Sequence, residues 1–256
     1  MKRVFISGAA AGIGLATARQ FAAAGYAVGI GDINADALAQ ATADIGPSSQ
    51  GFALDVREPQ QWQAALQAFC GEGGTLDVLI NNAGILYAGR VEQIPFEQHA
   101  RLIDINTKGI VAGSQAALPY LRRSASARVL NLCSASAIYG QPSIASYSAS
   151  KFFVRGWTEA LNIEWADYGI KVCSVWPIFV ATRMVADAPD MKAASKMGVS
   201  LKPEDVAAAL FKLAQQRKPP VHTPVGMQTH IFQSFVGVAP TALVRRIVAY
   251  LADYRG

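Results

Sequence analysis

The chain has 256 residues, 52% of them hydrophobic, and a formal net charge of +5. That length suits one large α/β domain with a single core, or at most two small domains, and scattered basic residues without a dense block or interleaved aromatics argue against nucleic-acid binding. The cysteines, Cys70, Cys133 and Cys173, are odd in number and widely spaced, which fits neither a disulfide framework nor a zinc site.

In chain order, short and almost wholly apolar runs predict strands at 3–7, 26–32, 51–55, 76–81, 127–133 and 170–176. Between them lie longer Ala-, Leu- and Gln-rich stretches with helical spacing at 13–24, 35–44, 59–70, 107–123, 148–168 and 204–216. Strands without alternation are those buried on both faces of a parallel sheet. The expected fold is therefore a Rossmann-type doubly wound parallel sheet in one domain, with helices on both faces. Residues 184–202 break this rhythm with Met184, Met191, Met197 and Pro189, and 178–202 is the expected substrate-loop region. From 217 the tail is first extended and Pro-rich, then strongly apolar to the end of the chain. The start, "MKRVFISG", has too short an apolar run for a signal peptide, and no segment reaches the roughly 18 apolar residues a spanning helix needs. A cytoplasmic protein is expected.

"SGAAAGIG" at 7–14 follows the first strand and opens the first helix. Gly8, Gly12 and Gly14 permit a tight turn, close approach of backbone to a diphosphate, and close helix–strand packing. The helix N-terminus then offers free N–H groups and partial positive charge to the anion. Asp32 ends the second strand, where a carboxylate suits the ribose hydroxyls of NAD and repels the additional phosphate of NADP. No Arg or Lys follows it, and Ala11 is not basic. Asp55, closing the third strand, is placed either to meet the adenine or to cap the next helix.

"SYSASK" at 146–151 puts Tyr147 and Lys151 four apart, on one face of a helix. By itself the pair reads as surface decoration or as a tuned acid. With the other motifs, the sequence resembles the short-chain dehydrogenase/reductase family in its roughly 250-residue branch. The glycine pattern TGxxxGxG appears as "SGAAAGIG", with Ser7 for threonine; NNAG stands intact at 81–84; YxxxK is "YSASK". The likeness runs from residue 3 to about 215. The resemblance implies a nicotinamide-dependent oxidoreductase interconverting a secondary alcohol and a ketone, with NAD preferred on the strength of Asp32. It places the catalytic residues at Asn106, Ser134, Tyr147 and Lys151; the sequence alone leaves Ser136 as a rival to Ser134, and the family's spacing selects Ser134. Tyr147 is then the acid/base. Lys151 lowers its pKa and holds the ribose, Ser134 bonds the substrate oxygen, and Asn106 anchors a water leading to Lys151. Ser146, Ser148 and Ser150 read as small packing residues. The expected cofactor-facing set is Gly8, Ala11, Gly12, Ile13, Gly14, Asp32, Ile33, Asp55, Val56, Asn82, Ala83, Gly84, Tyr147, Lys151, Pro177, Val180 and Thr182.

The chain departs from the family after the sixth strand, where Ile178 replaces the glycine of a Pro-Gly pair and must avoid positive φ. Expected pocket walls are Leu86, Ser136, Ile138, Tyr139, Ile178, Phe179, Met184, Val185 and Met191. They are mostly apolar and suggest an alicyclic or steroid-like substrate. His99, His222 and His230 lack metal-ligand spacing, so no metal is expected. A sugar-nucleotide epimerase would bring a GxxGxxG pattern and a larger C-terminal region, and a non-enzymatic NAD sensor has no use for an intact Tyr/Lys/Ser set. The family commonly forms tetramers through helices corresponding to 107–123 and 148–168. The apolar tail from 217 reads as an interface or pocket cover rather than as a membrane contact.

Overall fold

The computed structural model describes residues 1–188 and 191–254; Pro189 lies outside the described residues. The strands are β1 (Arg3–Ser7), β2 (Ala27–Asp32), β3 (Ser49–Ala53), β4 (Val78–Asn81), β5 (Arg128–Leu132), β6 (Lys171–Pro177) and β7 (His222–Val225). The helices are α1 (Gly12–Ala23), α2 (Ala35–Ile45), α3 (Pro59–Cys70), α4 (Phe96–Ile103), α5 (Gly109–Leu121), α6 (Ala145–Glu164), α7 (Arg183–Ala186), α8 (Lys192–Met197), α9 (Pro203–Gln215), α10 (Met227–Val238) and α11 (Thr241–Leu251). The strands form one parallel sheet in the order β3-β2-β1-β4-β5-β6-β7. The chain is a single Rossmann-like α/β domain.

Alternation within the strands sorts the core into two layers. Val4, Ile6, Val28, Ile30 and Ile80 face Phe21 of α1 and Val206, Leu210 and Leu213 of α9. Phe5, Leu79, Val129 and Val172 face Trp62 and Leu66 of α3, Leu121 of α5 and Leu161 of α6. Each such side chain, fully buried, contributes about 1.5–3 kcal/mol. Both faces of the sheet are covered, so its central strands need no polar alternation.

The sheet order reverses between β1 and β4, and at such a switch point the strand ends leave an open crevice. Three elements differ from the sequence reading. β3 lies two residues earlier than expected, because its ladder pairs Ser49 to Ala53 with Val28 to Asp32. The helix expected over 107–123 is preceded by α4 and by a π-helical turn at Asp104–Lys108, a geometry that often marks functional sites. The Pro-rich stretch supplies β7, and the apolar tail forms α10 and α11. Among the described residues no helix is long and apolar enough to cross a membrane.

Candidate active site

The glycine turn between β1 and α1 has geometry that only glycine supplies. Gly8 sits at φ 64°, and a Cβ there would stand 2.8 Å from the Ala83 Cα. A Cβ on Gly14 would lie 2.3 Å from the Gly8 carbonyl oxygen. The N-cap of α1 is Ala11, which has no side-chain acceptor, so no side chain caps the N–H groups at the helix start. Ser7 takes over the missing threonine's place, its Oγ accepting the N–H groups of Asn82 and Ala83 at 3.2 Å each. Asn82 is a fastener: its Nδ2 donates to the carbonyls of Ser7 at 2.9 Å and Gly8 at 2.8 Å. An uncapped helix start behind a turn of glycines and alanines is a cradle for a diphosphate, so these residues fit a dinucleotide.

Asp32 closes β2 with Oδ2 accepting the Ala10 N–H and Oδ1 the Asn34 N–H, both at 3.0 Å. It is not the cap of α2; Asn34 is, accepting from the Ala37 N–H at 3.0 Å. Ile33 beside it is exposed. Asp55 is held by the Arg57 guanidinium, Nε to Oδ1 at 2.9 Å, which keeps its carboxyl below the usual range. The N-cap of α3 is Glu58, so Asp55 does not cap it. Val56 is buried, and a Cβ on Gly109 would lie 2.8 Å from its Cγ2. Across the crevice, Thr182 brings its Cγ2 to 3.6 Å of the position a Cβ on Gly12 would take. The Thr182 hydroxyl donates to the Val180 carbonyl at 3.3 Å, and the Val180 side chain packs into the core.

The first turns of α6 carry Tyr147 and Lys151. Ser134, at the end of β5, accepts the Ser136 N–H at 3.1 Å and donates to the Ser136 hydroxyl at 3.3 Å. Burial pushes the Tyr147 phenol above its ordinary range, and the neighbouring Ser134 hydroxyl pulls the other way. Lys151 is buried, which lowers its pKa; its Nζ donates to the Leu132 carbonyl at 2.9 Å and lies 5.4 Å from the Tyr147 ring centroid. Burial therefore outweighs the lowering effect of Ser134, and the expected lowering of the phenol by Lys151 is not seen. Cys133, next to Ser134, is held at about 11 by burial and is not a nucleophile here.

Asn106 lies in the π turn. Its Oδ1 accepts the Ile85 N–H at 2.9 Å, and its Nδ2 donates to the Ile85 carbonyl at 3.0 Å and the Ser150 hydroxyl at 3.1 Å. The side chain thus joins the loop after β4 to α6. A cavity of about 10 Å³ beside it, with Lys151, Ser7 and Asn81 in its lining, is the size of one water. The Asn81 Oδ1 is buried without a partner among the described residues, and the cavity it helps line has room for a water.

The serines of "SYSASK" do more than pack. Ser146 bonds His99 Nδ1 at 2.7 Å, Ser148 accepts the Gln141 N–H at 3.1 Å, and Ser150 donates to the Tyr147 carbonyl at 2.7 Å. Each one ties α6 to a neighbouring segment or stiffens its first turn. A buried chain also runs below the site: Asn81 Nδ2 donates to Asn131 Oδ1 and Asn131 Nδ2 to Thr158 Oγ1, both at 2.9 Å. It was readable as asparagines inside the apolar strands "VLIN" and "VLNL", which pair at Asn81 and Asn131.

The expected pocket walls divide. Leu86, Ile178, Phe179, Val185 and Met191 cluster with Tyr147, and Ser136 is buried beside Ser134. Ile178 is not among the positive-φ residues. Ile138 packs instead with Val111, Val154 and Trp176, because the 3-10 turn at Ala135–Ala137 rotates it away. Met184 is 37% exposed on the short α7 and joins no cluster, and half-buried Tyr139 joins none either. Ile144, Met197 and Leu251 join the Tyr147 cluster although nothing local in the sequence marks them.

A family model described as short chain dehydrogenase matches residues 2–193. A 3-alpha-(or 20-beta)-hydroxysteroid dehydrogenase of Mycobacterium bovis is 31% identical over 213 residues, covering 83% of this chain and 82% of that protein. A cyclopentanol dehydrogenase of Comamonas sp. is 32% identical over 231 residues, covering 86% and 92%. The crystal structure of 3-ketoacyl-(acyl-carrier-protein) reductase from Brucella melitensis complexed with NADH superposes with a TM-score of 0.81 at 28% identity, covering 88% of this chain and 96% of that one.

Proposed function

The chain belongs to the short-chain dehydrogenase/reductase family, and from that premise we propose that it is an NAD-dependent oxidoreductase interconverting an apolar, cyclic secondary alcohol and its ketone. The observation that carries this reading is the setting of Tyr147: a phenol next to Ser134, one turn from a buried ammonium, with an apolar cluster against its ring. The nicotinamide, when bound, supplies or accepts the hydride. Gly8, Gly12, Gly14 and the start of α1 would hold the diphosphate, and Asp32 and Lys151 the two riboses. Asp32 keeps lone pairs free after accepting two backbone N–H groups, and the exposed residue beside it is Ile33, not a cation. That combination favours NAD over NADP.

In the reductive direction the Tyr147 Oη gives its proton to the substrate oxygen while the Ser134 hydroxyl bonds the same oxygen. Burial keeps the phenol protonated and suits it as the acid. In the oxidative direction the phenol must lose that proton; lowering even a free tyrosine by roughly 3 units takes about 4 kcal/mol, and burial starts Tyr147 above that free value. Lys151 contributes to that shift as the nearest cation on the same helix. Asn106 and Ser150 fix the first turn of α6, and the water-sized cavity beside Lys151 gives the proton a route onward. Leu86, Ile178, Phe179 and Met191 accept rings rather than charged groups, which agrees with the hydroxysteroid and cyclopentanol dehydrogenases among the relatives.

The same reading makes the protein a cytoplasmic homo-oligomer, with α5 and α6 at the interface: Phe152, Phe153 and Ile163 stand exposed along α6, Ile163 at 77%. The test is turnover of cyclic alcohols and ketones with NAD(H) and NADP(H), with Tyr147→Phe as control. The variant is expected to lose about 10²–10⁴-fold in kcat while binding NADH normally. A Tyr147→Phe enzyme with wild-type kcat sinks the assignment.

A further inference from the structure

The last turn of the chain touches three walls of the site and fastens two of them. At one end, the Tyr254 Oη lies 3.2 Å from the Ser143 Oγ. The Arg90 guanidinium lies 5.1 Å from the Tyr254 ring centroid. Ser143 stands four residues before Tyr147, in the turn entering α6. It sits at φ 65°, a conformation unusual for a residue with a Cβ, so its surroundings must hold it there. The Gly89 N–H donates to its carbonyl at 2.8 Å, and the Ser148 hydroxyl takes the Gln141 N–H from the same turn. At the other end, Lys196 of α8 donates to the Tyr250 carbonyl at 2.7 Å and to Asp253 Oδ1 at 2.9 Å. Asp253 is the second non-glycine residue at positive φ among the described residues, φ 65°. Two strained residues thus sit at the two fastenings of one short segment.

Between the fastenings, Leu251 packs into the cluster that holds Tyr147, Phe179 and Met191. Val248, Leu251 and Ala252 close over Ile178, Met197 and Gln141, leaving a cavity of about 20 Å³. That volume admits a water and not a ring. A cyclic substrate enters this part of the site only when the segment lifts.

We propose that residues 250–254 are a two-ended buckle over the substrate site, in which Tyr254 is a positioning residue and Lys196 with Asp253 is the release. Tyr254 acts through Ser143: it holds the turn that leads into α6 and so fixes the start of the helix carrying Tyr147. The buckle sets the size of alcohol or ketone the site accepts: it lifts to admit a ring and fastens again over a small one, whereas a fused-ring system holds it open. The substrate part of this inference rests on the dehydrogenase reading above; the mechanical part does not.

The test compares Tyr254→Phe, Lys196→Met and a chain ending at Ala252 with the wild type. Each is assayed with NAD(H) on cyclopentanol, cyclohexanol and a hydroxysteroid, and by hydrogen exchange of residues 140–150. Tyr254→Phe keeps the ring on Arg90 and loses only the hydroxyl, so it addresses the case in which the shortened chain fails to fold. Opening the buckle is expected to raise KM for the small rings about 3–10-fold, as loss of one or two hydrogen bonds would. The kcat/KM ratio of steroid to cyclopentanol should rise about tenfold in the shortened chain, and NADH affinity should stay unchanged. Exchange at 140–150 should quicken in all three variants. An unchanged size preference together with unchanged exchange overturns the proposal. If the wild type turns over none of the alcohols, the dehydrogenase reading falls; the buckle then stands or falls on exchange alone, and slow, wild-type exchange in Tyr254→Phe defeats it.

Discussion

The half of this domain proposed to hold the cofactor and the half proposed to hold the substrate are built by different means. Around β1, α1, β2 and the loop after β4, main-chain geometry does the work: glycines that no other residue replaces, an uncapped helix start, and backbone N–H groups taken by Asp32 and Ser7. From Ile178 onward, the walls are apolar side chains from segments far apart in the chain, secured by polar side chains such as Lys196 and Tyr254. The family model ends at residue 193, and most of the second region lies beyond it. A site made of main chain tolerates little change. One made of packed side chains can be reshaped without loss of the fold.

The sharpest way to break that contrast is the same substitution made in both regions. In Gly14→Ala the new methyl meets the Gly8 carbonyl oxygen at 2.3 Å and the Ala9 Cα at 2.8 Å, and neither atom can swing aside. NADH binding is expected to weaken by about 100-fold or more, read by fluorescence titration, as the turn no longer closes on the diphosphate. Gly237→Ala places its methyl in open space within α10. There the expected outcome is a gain of about 0.5–1 kcal/mol from helix propensity, with cofactor binding untouched. Equal damage at both positions would erase the distinction.

A smaller effect probes charge within the cofactor half. Asp32→Asn keeps the shape and an acceptor for the Ala10 or Asn34 N–H but loses the carboxylate. The kcat/KM ratio of NAD to NADP is expected to fall about 10–100-fold, the range for a charged hydrogen bond at the ribose plus relief of repulsion toward a phosphate. An unchanged ratio would show that Asp32 only braces the glycine turn.

This difference also decided what the sequence disclosed. Gly8, Gly12 and Gly14 are legible because a local backbone demand selects one residue type. Tyr147 and Lys151 are legible because helical spacing fixes their relation. Asn106 was placed only by its order among the other motifs; its bonds to Ile85 and Ser150 depend on a π turn that no local pattern announced. The three serines of "SYSASK" looked like filler because their partners, His99, Gln141 and Asn106, come from other segments. Leu251 and Met197 could not be assigned to the Tyr147 cluster, since a generic apolar residue carries no information on which core it joins. Ile138 and Met184 lie outside the Tyr147 cluster for the same reason: one 3-10 turn or one short helix decides the direction of the side chain.

The weakest of the expected effects concerns the edge where the second region begins. His222 of β7 receives the Ser174 hydroxyl at Nδ1, 2.8 Å, and its Nε2 meets Glu159 of α6 at 2.9 Å. The roles follow from the neighbours. Trp176 Nε1 donates to the Ser174 Oγ at 2.7 Å, so the serine's own proton goes to Nδ1 and the imidazole proton sits on Nε2, toward the carboxylate. Burial pushes the His222 pKa down; Glu159 opposes this, and Arg155, which also pairs with Glu159, reinforces it. The sign is then fixed. The unfolded histidine takes up its proton near its ordinary value of 6.5, and the folded one does so at lower pH. Stability is full above 6.5 and declines as pH falls from there toward the folded value. Glu159, itself held below its ordinary range chiefly by Arg155, adds a loss only below about 4.5. Thermal melts between pH 7.5 and 5.5 should therefore show a decline below about 4 °C, absent in His222→Gln. Hydrogen exchange should place it at β7 and α6, with β1 and β2 unchanged. Exchange that quickens equally in β1 would mean that the two halves of the sheet loosen together.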